Sequence, residues 1–358
     1  MKKIVETKIH ILELLSKNFD KKLFSGVSSA VFSYPDKFKF INLGGTSFLK
    51  DSYKVDKTTL FDLASLTKPF TALCILSLVA QKEISLDDKI SRFFNNIKLD
   101  ISIWMLLCHA SGLKAYTDIG KLLDKDIDKN SILKRASYKI LKTQILYPPL
   151  KKQIYSDLGY IVLSSIIENI CKNSFDICMN ELVLNPLGLK DIYFFPNIPK
   201  DSLVAISLKD IDTPNVNDPN ARFLGSISGH AGLFGSSKEI AKFLQKLFLI
   251  YLGELEIKYF PQRLLKKFFM PPLPQLGTWA LGFDTKSPKG SSAGENFSEK
   301  SIGHLGFTGT SFWLDLKNGI GVSVLTNRTI SPLIDSQERM KKLRPKIHSL
   351  LWEIGKEL

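Results

Sequence analysis

Hydrophobic and polar positions repeat with different periods along the chain, and the changes of period divide it. Ile4, Ile11, Leu12, Leu15 and Phe19 fall at helical spacing and predict an amphipathic first helix. Val27 to Phe32 and Phe38 to Leu43 are short β-type runs around Tyr34-Pro35-Asp36-Lys37, a strand–turn–strand signal. From Ser65 to about Leu184, just before Asn185-Pro186, the pattern turns helical. Within it Pro69 to Gln81 is almost wholly apolar and predicts a buried helix, and Ile103 to Cys108 and Tyr160 to Cys171 are further helical stretches. Segment 202–235, rich in Asn, Asp, Pro, Gly and Ser, reads as loop, and an amphipathic helix follows from Lys238 to Leu252. Thr310 to Leu316 and Ile320 to Thr326 enclose Lys317-Asn318-Gly319, and Asn-Gly between two such runs is the strongest short-range hairpin signal. From Ser331 onward a closing helix is expected, interrupted near Pro345. Strands thus sit at both ends of the chain, with a helical insert between them.

Composition narrows the class. The chain has 358 residues and 40.3 kDa, 44% hydrophobic and 23% charged, the balance of a globular protein with ample core. Its net charge is +14, yet the 49 bases are nearly all Lys and are scattered, with no run of five like charges. Nucleic-acid readers rely on clustered bases and on Arg, so a solvated surface is the better reading and no nucleic-acid partner is expected. The longest apolar run, Pro69 to Ala80, is well short of the ~20 residues that cross a bilayer, so no membrane span is expected. Met1-Lys2-Lys3 could open a signal peptide, but Glu6, Lys8, His10 and Glu13 break any apolar stretch behind it. Cys74, Cys108, Cys171 and Cys178 form no CxxC and read as buried free thiols of a reducing compartment. A cytoplasmic location is therefore expected. Neither HExxH nor any phosphate-binding glycine motif occurs, so no metal and no cofactor is implied.

The first chemical signal is Ser65-Leu66-Thr67-Lys68, directly before the buried helix. A Ser and a Lys three apart on a helical turn share a face, so the ammonium can reach the hydroxyl. A helix start also aims free N–H groups at a developing oxyanion, and a Lys among apolar neighbours can lose its proton near neutrality. Alone, SxxK recurs by chance. Tyr155-Ser156-Asp157 and Gly303-His304-Leu305-Gly306-Phe307-Thr308-Gly309-Thr310 follow in the order that serine acyl transfer without an Asp-His pair requires. They would supply a second proton-handling group and a strand with an oxyanion N–H.

With these blocks the chain resembles the serine β-lactamase and penicillin-binding-protein superfamily, nearest to its class C-like branch of β-lactamase-related serine hydrolases. Phe61 to Pro69, Leu106 to Leu113, Gly229 to Phe234, Trp279 to Asp284 and Gly306 to Ser311 all look like family blocks in family order. The resemblance implies an α+β fold, an antiparallel β-sheet flanked by the N- and C-terminal helices with an all-helical region inserted. Residues 1–64 and 206–358 would form the sheet region and 65–205 the helical one, as one compact catalytic unit. It further implies Ser65 as nucleophile, Lys68 as its proton partner and Tyr155 as relay to the leaving group. The Ser65 and Phe307 N–H groups would make the oxyanion hole. Asp157, His304 and Gly306 would contact substrate. His230 follows Asn217-Asp218-Pro219-Asn220-Ala221-Arg222, a loop resembling that of cell-wall amidases and peptidases, and is open to two readings, a turn or a substrate contact. His109 is expected to pack or cap, and Tyr155-Ser156-Asp157-Leu158 is not a Ser-Asp-Asn block.

Three departures bear on substrate. Asp157 stands where the β-lactamases have Asn, and beside Lys68 it should favour the charged ammonium. Leu305 replaces a Thr that commonly helps hold a substrate carboxylate, and His304 replaces a permanent cation. These favour a neutral or differently anchored acyl substrate over a β-lactam. The expected function is a serine hydrolase acting through an acyl-enzyme on small-molecule or peptide substrates, on amide bonds of cell-wall-derived peptides or muropeptides. The alternatives are an esterase of small acyl esters, or a catalytically silent penicillin-recognising sensor, against which intact Ser65, Lys68 and Tyr155 argue. The oligomeric state is open.

Overall fold

The computed structural model describes residues 2–50, 52–123 and 131–358, with side chains from residue 6 onward, so the expected contribution of the Ile4 side chain lies outside the described residues. Its strands are β1 (Gly26–Ser33), β2 (Lys37–Gly44), β3 (Phe61–Asp62), β4 (Ile192–Phe194), β5 (Leu233–Gly235), β6 (Asp284–Thr285), β7 (Ser301–Leu305), β8 (Ser311–Asp315) and β9 (Ile320–Thr326). Six of them form one antiparallel sheet in the order β2-β1-β9-β8-β7-β6, and β3-β5-β4 form a smaller one. The expected turns are present: β1 and β2 pair around Tyr34, and β8 and β9 around Gly319, whose φ of 67° suits a glycine.

Helix α1 (Lys2–Asp20) precedes the sheet. Between β3 and β4 come α2 (Thr67–Ala80), α3 (Ile103–Leu107), α4 (Ile119–Leu122), α5 (Ile132–Thr143), α6 (Asp157–Cys171), α7 (Phe175–Met179) and, after a π-helical turn, α8 (Asn185–Leu187). Then follow α9 (Pro219–Phe223), α10 (Ser237–Leu252), α11 (Gln262–Phe268) and α12 (Ser336–Glu357). Strand β9 is buried along its whole length because both its faces are covered. Val322 and Val324, with Val27 and Val31 of β1, meet Leu343, Ile347, Leu351 and Ile354 of α12 and Ile11 and Leu15 of α1. Leu325 and Phe312 face the other way, toward Phe243, Leu244 and Leu247 of α10 and the large core around α2 and α6.

Two expectations are corrected. Helix α12 runs unbroken through Pro345. An interior proline costs about 3 kcal/mol, but burying each of several Leu and Ile side chains on the sheet contributes roughly 1.5–3 kcal/mol and holds the helix together. Segment 202–235 is not all loop. Asp218 caps α9 by accepting the Ala221 N–H at 2.7 Å, with Pro219 in the first turn, and β5 joins β3 to β4.

Candidate active site

Ser65 lies on a tight 3-10 turn, Ala64–Leu66, one turn ahead of α2 and not in the α-helix itself. Asp62 shapes this turn. Its Oδ1 accepts the Ala64 N–H at 2.8 Å and its Oδ2 the Asn217 N–H at 2.7 Å, and Ala64 takes φ of 47°, a conformation uncommon for residues with a Cβ. Burial pushes the Asp62 carboxyl up to about 6. Thr67 adds a bond from Oγ1 to the Ala64 carbonyl at 2.7 Å.

The turn is fastened to the strand beside it. Thr308 donates to the Asp62 carbonyl at 2.7 Å and Thr310 to the Leu63 carbonyl at 3.1 Å. Gly306, at the end of β7, packs so closely that a Cβ would stand 2.8 Å from the Leu63 oxygen and 2.0 Å from Thr310 Oγ1. Gly306 and Phe307 thereby share the wall of the cleft with Ser65. Asp62, Thr308 and Thr310 were visible in the sequence only as members of blocks, without a role. The one local hint was an acid set between Phe61 and Leu63, whose burial shows only once the fold is known.

Below the turn, the fully buried Lys68 donates from Nζ to Ser65 Oγ at 3.0 Å and to the His230 carbonyl at 3.2 Å, and pairs with Asp157 at 2.6 Å. The rings of Tyr155 and Tyr160 lie 4.7 Å and 5.6 Å from its Nζ. Ser156 caps α6, accepting the Gly159 N–H at 3.3 Å, which puts Asp157 in the first helical turn and Tyr155 just outside it. Lys68 and Ser65 both act on the Tyr155 hydroxyl, each favouring its ionised form. Burial pushes the Lys68 ammonium down, but Asp157 and Tyr155 outweigh it and hold the group above its ordinary range. The expectation that Lys68 sheds its proton near neutrality is therefore overturned, and the effect expected of Asp157 prevails. Tyr155 is raised by burial, with Lys68 pulling the other way, so it rests as a phenol.

Ser65, Tyr155, Asp157, His304, Gly306 and Phe307 line one cleft of about 550 Å³, together with Tyr116, Asp218, Trp279, Asp284 and Arg344. A larger concavity of about 780 Å³ between Phe94, Ser165 and Phe223 holds none of these groups. Phe307 stands at the rim, 56% exposed. His304 is buried, its Nδ1 2.9 Å from the Leu305 carbonyl, and burial with the Lys68 charge pushes it down to about 3. His230 is the substrate-contact expectation whose ring the structure puts elsewhere. Its nitrogens engage Asp218 and Ser228, each at 2.9 Å, and only its carbonyl meets the Lys68 group. Asp218, held down to about 2 by His230 against burial, lines the cleft with Asn217 and Pro219 of that loop. His109 packs 4.7 Å from Tyr155 and accepts the Ser156 N–H at 3.0 Å, the packing role expected of it.

A serine held by a buried lysine beneath a tyrosine, at the junction of an antiparallel sheet and a helical region, coincides with a match to the beta-lactamase family model over residues 27–342. The chain belongs to the beta-lactamase family. As a member it is a serine hydrolase. It is 28% identical to the N-acetylmuramyl-L-alanine amidase of Bacillus subtilis over 87% of this chain and 76% of the relative. It is 29% identical to a putative D-alanyl-D-alanine carboxypeptidase of Salmonella gallinarum over 81% of this chain and 74% of that one. Among solved structures, the octameric penicillin-binding protein homologue from Pyrococcus abyssi superimposes with a TM-score of 0.74, at 22% identity, over 97% of this chain and 77% of its own. Among the described residues, no helix of this beta-lactamase family member is long and apolar enough to cross a membrane.

Proposed function

We propose that the protein hydrolyses amide bonds of cell-wall-derived peptides or muropeptides through an acyl-enzyme on Ser65. The observation that carries the reading is the 3.0 Å contact between Lys68 Nζ and Ser65 Oγ beneath the Tyr155 ring, at the floor of the cleft. Ser65 Oγ attacks the substrate carbonyl. Lys68 is an ammonium at rest, so it can take the Ser65 proton only while releasing one of its own, and Asp157 at 2.6 Å is the acceptor within reach. The oxyanion is received by the Ser65 and Phe307 N–H groups. Tyr155 then protonates the departing nitrogen and is reprotonated through Lys68, and water releases the acyl group by the same path in reverse. Both curated relatives, one an amidase and one a putative carboxypeptidase, support an amide as the bond cleaved.

The test is a hydrolysis panel of muropeptides, D-Ala-D-Ala peptides, nitrophenyl esters and a chromogenic cephalosporin, with Ser65→Ala as control. Turnover of an amide that disappears in Ser65→Ala is expected. Turnover confined to the esters would overturn the amide reading.

A further inference from the structure

Tyr155 stands on a stretch of chain that belongs to no helix or strand, just ahead of α6. No ladder of backbone bonds fixes its place, so its neighbours must find partners elsewhere. The two peptide N–H groups that flank it are both received by one residue. His109 takes the Ile154 N–H on its carbonyl at 2.9 Å and the Ser156 N–H on ring Nδ1 at 3.0 Å. It does so from φ of 60°, a conformation that His and Asn enter more readily than most residues with a Cβ. Its ring then lies 4.7 Å from that of Tyr155 and 4.8 Å from that of Trp279, centroid to centroid. Trp279 closes the group, 5.1 Å from Tyr155.

A histidine at this position carries a cost. A ring nitrogen that accepts a backbone N–H has no proton of its own, so the neutral ring bears its proton on Nε2. That atom is buried with no hydrogen-bond partner among the described residues. Burial, and after it the Lys68 charge, pushes His109 well below its ordinary range, so Nδ1 keeps its lone pair. Phenylalanine would fill the same space without an orphaned N–H. What the position gains from histidine is the acceptor.

We infer that His109 is the positioning residue for Tyr155, gripping the peptide units on both sides of it and so holding its ring over Lys68 Nζ. The inference rests on the proposed function only in giving Tyr155 the proton for the leaving group. His109 does not line the cleft, and it acts on the reaction only through Tyr155.

The test compares kcat and KM, on a substrate that the enzyme turns over, for two variants. His109→Phe keeps a ring and loses the acceptor; the Oδ1 of His109→Asn can take the Ser156 N–H from the same backbone conformation. His109→Phe should lower kcat by about tenfold to a hundredfold with KM changed by less than about twofold, and His109→Asn should recover most of the loss. Added to Tyr155→Phe, His109→Phe should cost no more than about twofold further, because the group it places is already gone. Two measurements need no turnover. In crystal structures the Tyr155 ring should keep its place over Lys68 in the natural sequence and leave it in His109→Phe. Nitrogen-15 shifts of the unaltered protein should show His109 bare at Nδ1 and protonated at Nε2. A proton on Nδ1, or an undisplaced Tyr155 ring in His109→Phe, overturns the inference. In an enzyme that Tyr155→Phe impairs, so does full activity of His109→Phe, no recovery in His109→Asn, or losses that add. A displaced ring in His109→Phe, where Tyr155→Phe is itself fully active, would instead overturn only the relay given to Tyr155.

Discussion

A lysine that is both buried and charged cannot act as a base until another group takes its proton, and this places Asp157 at the centre of the residue-scale chemistry. If Asp157 is the acceptor, Asp157→Asn should lower kcat by roughly a hundredfold or more, the usual worth of a positioned acid or base. If the carboxylate only holds Lys68 in its charged form, the same variant frees the amine and kcat rises, which would contradict the proton path. Lys68 is hydrogen-bonded to Ser65 and lies 4.7 Å from the ring of Tyr155. Their losses should accordingly not add. Lys68→Ala and Tyr155→Phe are each expected to be severe and the double variant little worse, and additive effects in the cycle would show the two acting separately.

At the scale of elements, the site depends on a fastening between two pieces of chain far apart in sequence. Thr310 Oγ1 binds the Leu63 carbonyl at 3.1 Å, tying the start of β8 to the turn that carries Ser65. Thr310→Val removes the donor and leaves the carbonyl without it, which should cost about 1–3 kcal/mol in denaturant unfolding. It should also slow acylation of Ser65, and an unchanged acylation rate would mean the turn is held without it. This fastening shows why some of the molecule was legible in its sequence and some was not. The β8–β9 hairpin is written locally, in alternating apolar residues around Asn318-Gly319, and α2 in an apolar run after Ser65. Lys68 and Asp157 were legible too, one by its spacing from Ser65 and the other by its place after Tyr155. Strands β3 and β5, of two and three residues, carry no period of their own and exist because they pair with each other. The roles of Asp62 and Thr308 are equally non-local. His230 was left open between a turn and a substrate contact because the pairing of its ring with Asp218 and Ser228 exists only in the folded chain.

For the whole molecule, buried titratable groups set how stability follows pH. Burial pushes His304 and His348 down to about 3, and burial with Lys68 and His304 pushes His109 well below its usual range. An unfolded chain protonates these imidazoles below about pH 6.5 while the folded one does not, so their contribution is lost as pH falls. Asp62 and Asp284, each raised by burial to about 6, and Glu168, raised by burial to about 7, act in the opposite sense, costing stability as pH rises from about 4 toward those values. Three imidazoles against three carboxyls leave the melting temperature nearly level from about pH 6.5 to about 4.5. It should fall below about pH 4, where the carboxyl effect is exhausted and that of the imidazoles continues. Melting curves across that range check it, and a steep change of the melting temperature between about pH 6.5 and 4.5 would show that one of the two sets is not buried as described. The central claim is that one serine carries the chemistry, and it is tested most directly by mass spectrometry of the fluorophosphonate-treated protein, with the adduct mapped to its peptide. A single adduct on Ser65, absent along with turnover in Ser65→Ala, is the result expected. An adduct elsewhere, or turnover that survives in Ser65→Ala, would contradict it.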